Sequence, residues 1–401
     1  MRTVLISGAG IAGQSLAYWL HRHGFTPTVV ERAPAPRAQG HTVDLRGVSF
    51  DVVRRMGLLE KVRDAAVDSR GMSYVDATGR RVADMPASFL GGNGVVGEVE
   101  ILRGDLVDIF HQATEGKVEY VFDDTITSLA QAPDGVRVTF ERSAARVFDL
   151  VVGADGAHSV TRSLAFGEES RFSRELGCHL AYFTAPNVFG IQDWELFHNL
   201  PGRRVAALRP SRRAEEVKVL LGFASKPLDH GDARRQKQIV AEVFAGAGWQ
   251  VPAMLREMAA ATDFYFDAAT QVVMDGWSRG RVVLLGDAGY SPSPLGGGGT
   301  GLAVVGAYVL AGELAEAGGD HEVAFAAYER EMRGLVRQRQ KLPPGGVNGF
   351  VPNSRVAIGM RNLSIRLLPH LPWSGLIEKM VTDPDAITLN DYGLPSPPPI
   401  L

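Results

Sequence analysis

The chain has 401 residues, 45% of them hydrophobic, which suits two interlocked globular domains rather than one small core. Its 42 Lys and Arg stand against 45 Asp and Glu, a net charge of -3 that gives no electrostatic ground for a nucleic-acid partner. One cysteine, Cys178, excludes an internal disulfide, dithiol redox chemistry and a cysteine-built metal site, and points to a reducing cytoplasm.

Thr3 to Leu20 is apolar and follows Met1-Arg2, as a secretory signal would. Gly8, Gly10 and Gly13 interrupt it, however, and a strand, turn and helix explain those glycines where a signal peptide does not. The pattern predicts a buried strand over Val4 to Ser7, a helix over Ile11 to Arg22 and a strand over Thr26 to Glu31. Helices are expected over Val48 to Met56, Leu58 to Ala66 and Arg103 to Ala113, and a hairpin over Met72 to Val75 and Arg81 to Met85. Ile126 to Ala130, Val136 to Glu141 and Val147 to Val152 read as strands. Alternating aromatic and β-branched residues over Cys178 to Thr184, Trp194 to Leu200, Val205 to Leu208 and Val217 to Phe223 predict an antiparallel sheet with one packed face. Helices near 232–246 and 252–260 and strands over Phe264 to Val273 and Arg281 to Leu285 follow. Long helices are expected over Thr300 to Glu316 and Glu322 to Gln340, a break at Pro343 to Gly346, a helical region over Arg355 to Met380 and an extended tail at Pro395 to Pro399. No other run of about 18 apolar residues occurs, so no membrane span is expected.

Three turns carry chemistry. In Gly8-Ala9-Gly10-Ile11-Ala12-Gly13, Gly8 permits a tight turn, Gly10 a close approach of pyrophosphate to backbone, and Gly13 close packing of helix on strand. The helix N-terminus, including Ala12, then faces the anion. Glu31 closes the next strand, where a carboxylate takes ribose hydroxyls and disfavours a 2′-phosphate; Arg32 follows it. The second turn is Gly153-Ala154-Asp155-Gly156, after Leu150 to Val152. The third is Gly286-Asp287-Ala288-Gly289, which leads through Pro294 to Gly296 to Gly299 and into the helix opening at Thr300. That helix start can donate N–H groups to an electron-rich ring edge.

With these three motifs in this order, the chain resembles the aromatic-ring hydroxylases, the FAD-dependent group of para-hydroxybenzoate hydroxylase and the tetracycline-inactivating monooxygenases. The resemblance covers residues 1 to about 335 in motif order. It implies an α/β fold: a Rossmann-like (GR2-type) FAD-binding domain at 1–70, 101–172 and 270–342, interleaved with an antiparallel-sheet substrate domain at 71–100 and 173–269. Residues 343–401 would form a C-terminal helical region and tail. By the resemblance, Gly8, Gly10, Gly13 and Glu31 hold the ADP half of FAD, and Asp155 and Gly156 assist and are linked to NAD(P)H use. Asp287 bonds the ribityl chain, while Pro294, Gly297, Gly299, Thr300 and Gly301 line the isoalloxazine. Arg103 would lie against the pyrophosphate and ribityl region, and Arg46 near FAD and nicotinamide; both are otherwise readable as surface charges. Three positions depart from the family pattern: Tyr290 where His is common, Gly301 where Asn is, and Gly306 where Asp is.

The resemblance implies NAD(P)H and O2 as co-substrates, a flavin C4a-hydroperoxide as the oxygen donor and a small aromatic or polyketide-like substrate. The flavin would carry the chemistry, with Arg46, Tyr290 and Pro294 as protein candidates for a catalytic part. His179, Tyr182, Phe183, Phe197, Arg209 and Phe223 are the expected substrate contacts, and no metal site is expected. A monomer or homodimer is expected. A flavin halogenase is a rival, although its Trp-x-Trp-x-Ile-Pro element is absent. A reductase or desaturase, and a binding or cyclising protein that keeps FAD as a scaffold, remain open at this point.

Overall fold

The computed structural model describes residues 2–36, 40–87, 99–228, 231–342, 345–367 and 387–393. In chain order the first third comprises β1 (Thr3–Ser7), α1 (Ile11–Arg22), β2 (Thr26–Glu31), β3 (Thr42–Leu45), α2 (Val48–Arg55), α3 (Leu59–Asp64), β4 (Gly71–Val75), β5 (Arg81–Pro86), β6 (Val99–Leu102) and α4 (Arg103–Thr114). Next come β7 (Glu119–Phe122), β8 (Ile126–Ala132), β9 (Gly135–Phe140), β10 (Arg146–Phe148), β11 (Leu150–Gly153), α5 (Val160–Phe166), β12 (Ser173–Pro186), β13 (Trp194–Leu200), β14 (Arg204–Pro210) and β15 (Glu216–Ala224). The remainder is α6 (Ala233–Val243), α7 (Val251–Ala260), β16 (Tyr265–Val272), β17 (Ser278–Arg279), β18 (Val282–Leu284), α8 (Asp287–Tyr290), α9 (Gly299–Glu316), α10 (His321–Arg339), α11 (Gly346–Phe350) and α12 (Arg355–Leu367).

Two large sheets organise the molecule. The first has six strands in the order β17-β18-β11-β1-β2-β7. It is parallel except for β17. Val4, Leu5 and Ile6 in β1 are fully buried. Strands covered on both faces need such continuous apolar runs. The second sheet has seven strands in the order β16-β12-β15-β14-β13-β4-β5. It is antiparallel except where β13 meets β4. Its alternating pattern buries two different faces. Ala181, Phe183, Leu208 and Phe223 pack with α6 and α7 on one side. Leu180, Phe197, Val205, Ala207 and Leu220 face the other side, towards Leu295 and the α11 residues Val347 and Phe350. A ribbon of β3 and β6 and a small sheet of β8, β9 and β10 complete the strands.

The parallel sheet, the antiparallel sheet and the helices after β18 form the expected α/β architecture, but several details differ from the sequence reading. Val147 to Val152 is two strands, not one. Asp149 accepts the Thr3 N–H at 2.7 Å and the Thr3 hydroxyl at 2.9 Å. That anchor separates β10, in the small sheet, from β11, in the parallel sheet. Strands β3, β6 and β7 and helix α11 were not anticipated. The expected helix beyond Leu367 and the tail at Pro395 to Pro399 lie outside the described residues. Among the described residues no helix is long and apolar enough to cross a membrane.

Candidate functional site

The first glycine turn leaves β1 and enters α1. Gly8 has φ +105°, and a Cβ there would stand 2.5 Å from the Ala154 carbonyl oxygen. A Cβ at Gly13 would stand 1.9 Å from the Gly8 carbonyl oxygen. Neither position accepts a side chain. Helix α1 has Gly10 as its N-cap, with no capping side chain and no acidic residue in its first turn. An anion cradle at a helix N-terminus has this form. Glu31 lies beside it, its two oxygens accepting the Ala9 and Ala33 N–H groups at 2.9 Å each. Arg103, the first residue of α4, reaches over the turn, its Nη2 3.3 Å from where a Gly10 Cβ would be. Arg32 is exposed.

The second turn follows β11, next to β1 in the sheet. Asp155 points inward: one oxygen accepts the Thr161 N–H and hydroxyl at 2.9 Å each and the Ser7 hydroxyl at 3.2 Å, and the other accepts the Ser159 hydroxyl. Gly156 has φ +84° and open space where a Cβ would be. Arg162, to which the sequence reading assigned no role, is fully buried. It donates to the Ala157 carbonyl at 2.6 Å and the Ala288 carbonyl at 2.9 Å, joining the second turn to the third. An arginine six residues after the Asp-Gly step, in an otherwise small and apolar helix start, was the available signal.

The third turn follows β18. Gly286, at φ +64°, brings the backbone against Ala12 of α1. Asp287 remains open to solvent yet is ringed by protein. Burial raises its carboxyl above the ordinary range, against the lowering effects of Ser291 and Arg103. Ser293 (φ +83°), Gly297 (φ +65°) and Gly298 (φ +76°) bend the loop that starts α9. Gly298 is its left-handed N-cap. Gly299 lies at the start of the helix, and a Cβ there would make ordinary contacts; a Cβ at Gly301 would meet only Ser49, at 3.7 Å. Pro294 is exposed and Thr300 half-buried. Between this helix start and the β3–α2 connection lies a small open pocket, lined among others by Asp44, Arg46, Ser49, Gly298, Gly301 and Arg339. The Ser49 hydroxyl accepts the Arg46 N–H at 2.9 Å and donates to the Arg46 carbonyl at 2.7 Å, and Arg46 is ion-paired with Asp44.

Tyr290 is displaced from the role the sequence reading considered for it. It is buried against Trp277, its hydroxyl 2.6 Å from that of Tyr328, which donates to the Leu284 carbonyl. A Cβ at Gly306 would lie 2.3 Å from the Tyr290 hydroxyl. Two of the departures from the family pattern are therefore one exchange: the tyrosine hydroxyl occupies the space a side chain at 306 would need.

Tyr182, Phe197 and Arg209 share the face of the seven-stranded sheet that looks towards Leu295. Tyr182 stacks on His41 at 4.9 Å, and Phe197 packs on Tyr74. Burial pushes the His41 imidazole down to about 4, with Arg103, Arg209 and Lys218 adding to the effect. Arg361 of α12 covers the Tyr74 ring at 3.8 Å. Phe183, Phe223 and His179, by contrast, point to the face under α6 and α7. Phe223 packs against Phe244 and Phe266, and His179 packs beside both Phe223 and Phe266. The period-two alternation of β12 and β15 dictates this: residues an odd number apart cannot share a face.

The three turns, two carboxylates and two glycine-opened helix starts meet the requirements of an FAD-shaped ligand: an anion cradle, a ribose-side carboxylate and a side-chain-free approach to a ring. No group of three potential metal ligands occurs among the described residues. A family model described as "FAD binding domain" matches residues 1–339, and the chain belongs to that family. An uncharacterised protein of Mycobacterium tuberculosis is 44% identical over 355 residues, 88% of this chain and 95% of the relative. A flavin-dependent monooxygenase of Legionella longbeachae is 37% identical over 340 residues, covering 84% and 87%. The crystal structure of tetracycline destructase Tet(55) superposes with a TM-score of 0.81 at 35% identity, covering 98% of this chain and 99% of that one. The chain is thus a member of the FAD-dependent monooxygenases.

Proposed function

We propose that the protein is an NAD(P)H-dependent monooxygenase that hydroxylates a small aromatic or polyketide-like molecule. One observation carries this reading: the three glycine turns, from separate parts of the chain, follow three neighbouring parallel strands, β1, β11 and β18, with Glu31 beside the first and Asp287 in the third. On this reading the α1 N-terminus and Gly10 receive the pyrophosphate, Glu31 the ribose and Asp287 the ribityl chain. The backbone from Gly297 to Gly301 receives the isoalloxazine, with Arg46 and Arg103 alongside. FAD reduced by NAD(P)H supplies the oxygen-activating chemistry.

The chain's own part is binding, placement and exclusion of water. The uncapped α9 N-terminus favours negative charge on the ring edge it faces. Tyr182, Phe197 and Leu220 form an apolar wall against which a planar substrate is held, and Arg361 over Tyr74 closes it from α12. Asp155 and Arg162 keep the turns in register. The six-stranded sheet then serves the cofactor and the seven-stranded sheet the substrate. The protein would act in the cytoplasm as a monomer or homodimer.

The test is mass spectrometry after incubation of the FAD-loaded protein with NADPH, O2 and a panel of phenols and tetracyclines. A product one oxygen heavier, with substrate-stimulated NADPH oxidation, is expected. NADPH oxidation indifferent to every substrate, with no oxygenated product, would overturn the reading.

A further inference from the structure

At one end of the sheet face that looks into the cleft lies a charge cluster that the oxygenation reading does not use. Glu195 on β13 and Arg209 on β14 are joined by a 2.6 Å bond from Arg209 Nε. Arg209 Nη2 also lies 3.5 Å from Glu100 on β6. Glu100 stands directly across the ribbon from Asp44, which pairs with Arg46 at the mouth of the pocket. Glu100 and Glu195 are 5% and 2% exposed.

Three carboxyls and two guanidiniums share this space, so full ionisation would leave one negative charge in excess. A buried cluster relieves such an excess by keeping a proton. Geometry identifies where. Asp44 has Arg46, and Glu195 has the short Arg209 bond. Among the described residues Glu100 has the 3.5 Å contact alone, and both other carboxyls act on it. Of the other guanidiniums nearby, Arg339 lines the pocket beside Asp44 and Arg46, and Arg103 acts on His41, while Arg209 and Arg46 act on Glu100. His41, beside Arg209, is kept neutral by burial, and Lys218, next along the sheet row, donates to the Thr184 hydroxyl at 2.7 Å. Thr184 in turn is held by Asp263. Burial first, then Glu195 and Asp44, push the Glu100 carboxyl up to about 8, against the pull of Arg209 and Arg46.

We propose that this cluster determines specificity through Arg209: Glu195 neutralises its guanidinium, with the Glu100 carboxyl in reserve beside it, so that the site admits uncharged phenols or enols and rejects substrates carrying a carboxylate. This inference rests on the monooxygenase reading and names its substrate class. An incoming carboxylate would meet a guanidinium already paired with Glu195 and a neighbouring carboxyl ready to ionise, and it would have to be desolvated without a new partner.

The test uses FAD-loaded protein and two probes of one shape, 2-naphthol and 6-hydroxy-2-naphthoate, titrated calorimetrically. At neutral pH wild type is expected to bind the naphthol at least about tenfold more tightly. The preference should increase as pH rises through about 8, where Glu100 loses its proton, and Glu100→Gln should remove that increase while keeping the neutral-pH ratio. The Glu100→Gln/Glu195→Gln double variant leaves Arg209 without a carboxylate and should lower the preference by at least about tenfold. Equal or tighter binding of the naphthoate by wild type overturns the proposal. So does binding of neither probe, or a pH profile unchanged in Glu100→Gln. Should the double variant fail to fold, the isosteric single variant decides through its pH profile. Failure of the flavin reading shows separately, as absence of FAD from the extracted pigment.

Discussion

Tyr290 and Gly306 show how a pair of residues can depart from a family pattern together. The Tyr290 hydroxyl fills the volume of the missing side chain. Gly306→Ala should therefore destabilise the protein, despite the usual gain from replacing a helical glycine, because overpacking costs about 1–3 kcal/mol. Tyr290→Phe frees the space and leaves Tyr328 bonded to the Leu284 carbonyl. A double-mutant cycle in urea should show Tyr290→Phe rescuing Gly306→Ala; additive losses would separate the two positions. Asp287 makes a different demand. As an open carboxylate in the cleft, its loss in Asp287→Ala should weaken FAD binding by about ten- to a hundredfold, the effect of one charge-assisted hydrogen bond. Equilibrium dialysis of FAD against the folded variant measures it.

At the scale of elements, His158 clamps the second turn to the antiparallel sheet. Its Nδ1 lies 2.8 Å from Glu169 and its Nε2 2.9 Å from Asp267 on β16. The hydrogen bond to Asp267 foremost, then the charges of Asp267 and Glu169, raise the imidazole to about 9 against the effect of burial. A raised folded value means that the clamp's contribution is complete below the unfolded value of about 6.5 and is lost as pH rises through about 9. Melting temperatures of wild type and His158→Gln should accordingly differ at pH 7 and converge towards pH 10. A difference that persists at alkaline pH would assign the effect to packing instead.

Elements with one strong period were legible in the sequence. The bounds of α1 and β2 were read to the residue, because the glycine turn and Glu31 fix their ends. The ribbon of β3 and β6 was not, since each strand has only four residues and its partner lies over fifty positions away. The edge strand β7, Glu-Tyr-Val-Phe, carries no buried run to announce it. The charge cluster around Glu100 was invisible for the same reason, because β3, β6, β13 and β14 bring it together only in three dimensions. Of the expected substrate contacts, Tyr182, Phe197 and Arg209 share one face. Phe183 and Phe223 do not, because aromatic content was read without carrying the strand alternation through to a face.

At the scale of the whole molecule, residues 387–393 return to the cofactor side and dock on α9. Tyr392 packs so closely over Gly312 that a Cβ there would be 2.2 Å from its ring, and its hydroxyl donates to Glu313 at 2.9 Å. Tyr308 and Arg55 both bond the Asn390 carbonyl. Tyr392→Ala should lower stability by about 3 kcal/mol through loss of a buried aromatic ring. Tyr392→Phe should cost about 1 kcal/mol, because the ring remains and one hydrogen bond goes. Chemical denaturation of the FAD-loaded variants distinguishes the two, and equal losses would place the importance of the segment in Glu313 rather than in the ring.

The strand order also has a history in time. In the six-stranded sheet, β11 lies between β1 and β18, and β18 is residues 282–284. A ribosome making roughly 5–20 residues per second needs on the order of ten seconds to deliver that strand after β11. Throughout that interval the edge of β11, whose Val151 and Val152 end fully buried, has no partner on one side. The nascent chain therefore carries an open, sticky edge for about a third of its synthesis. A chain ended before β18 would aggregate rather than survive as half an enzyme.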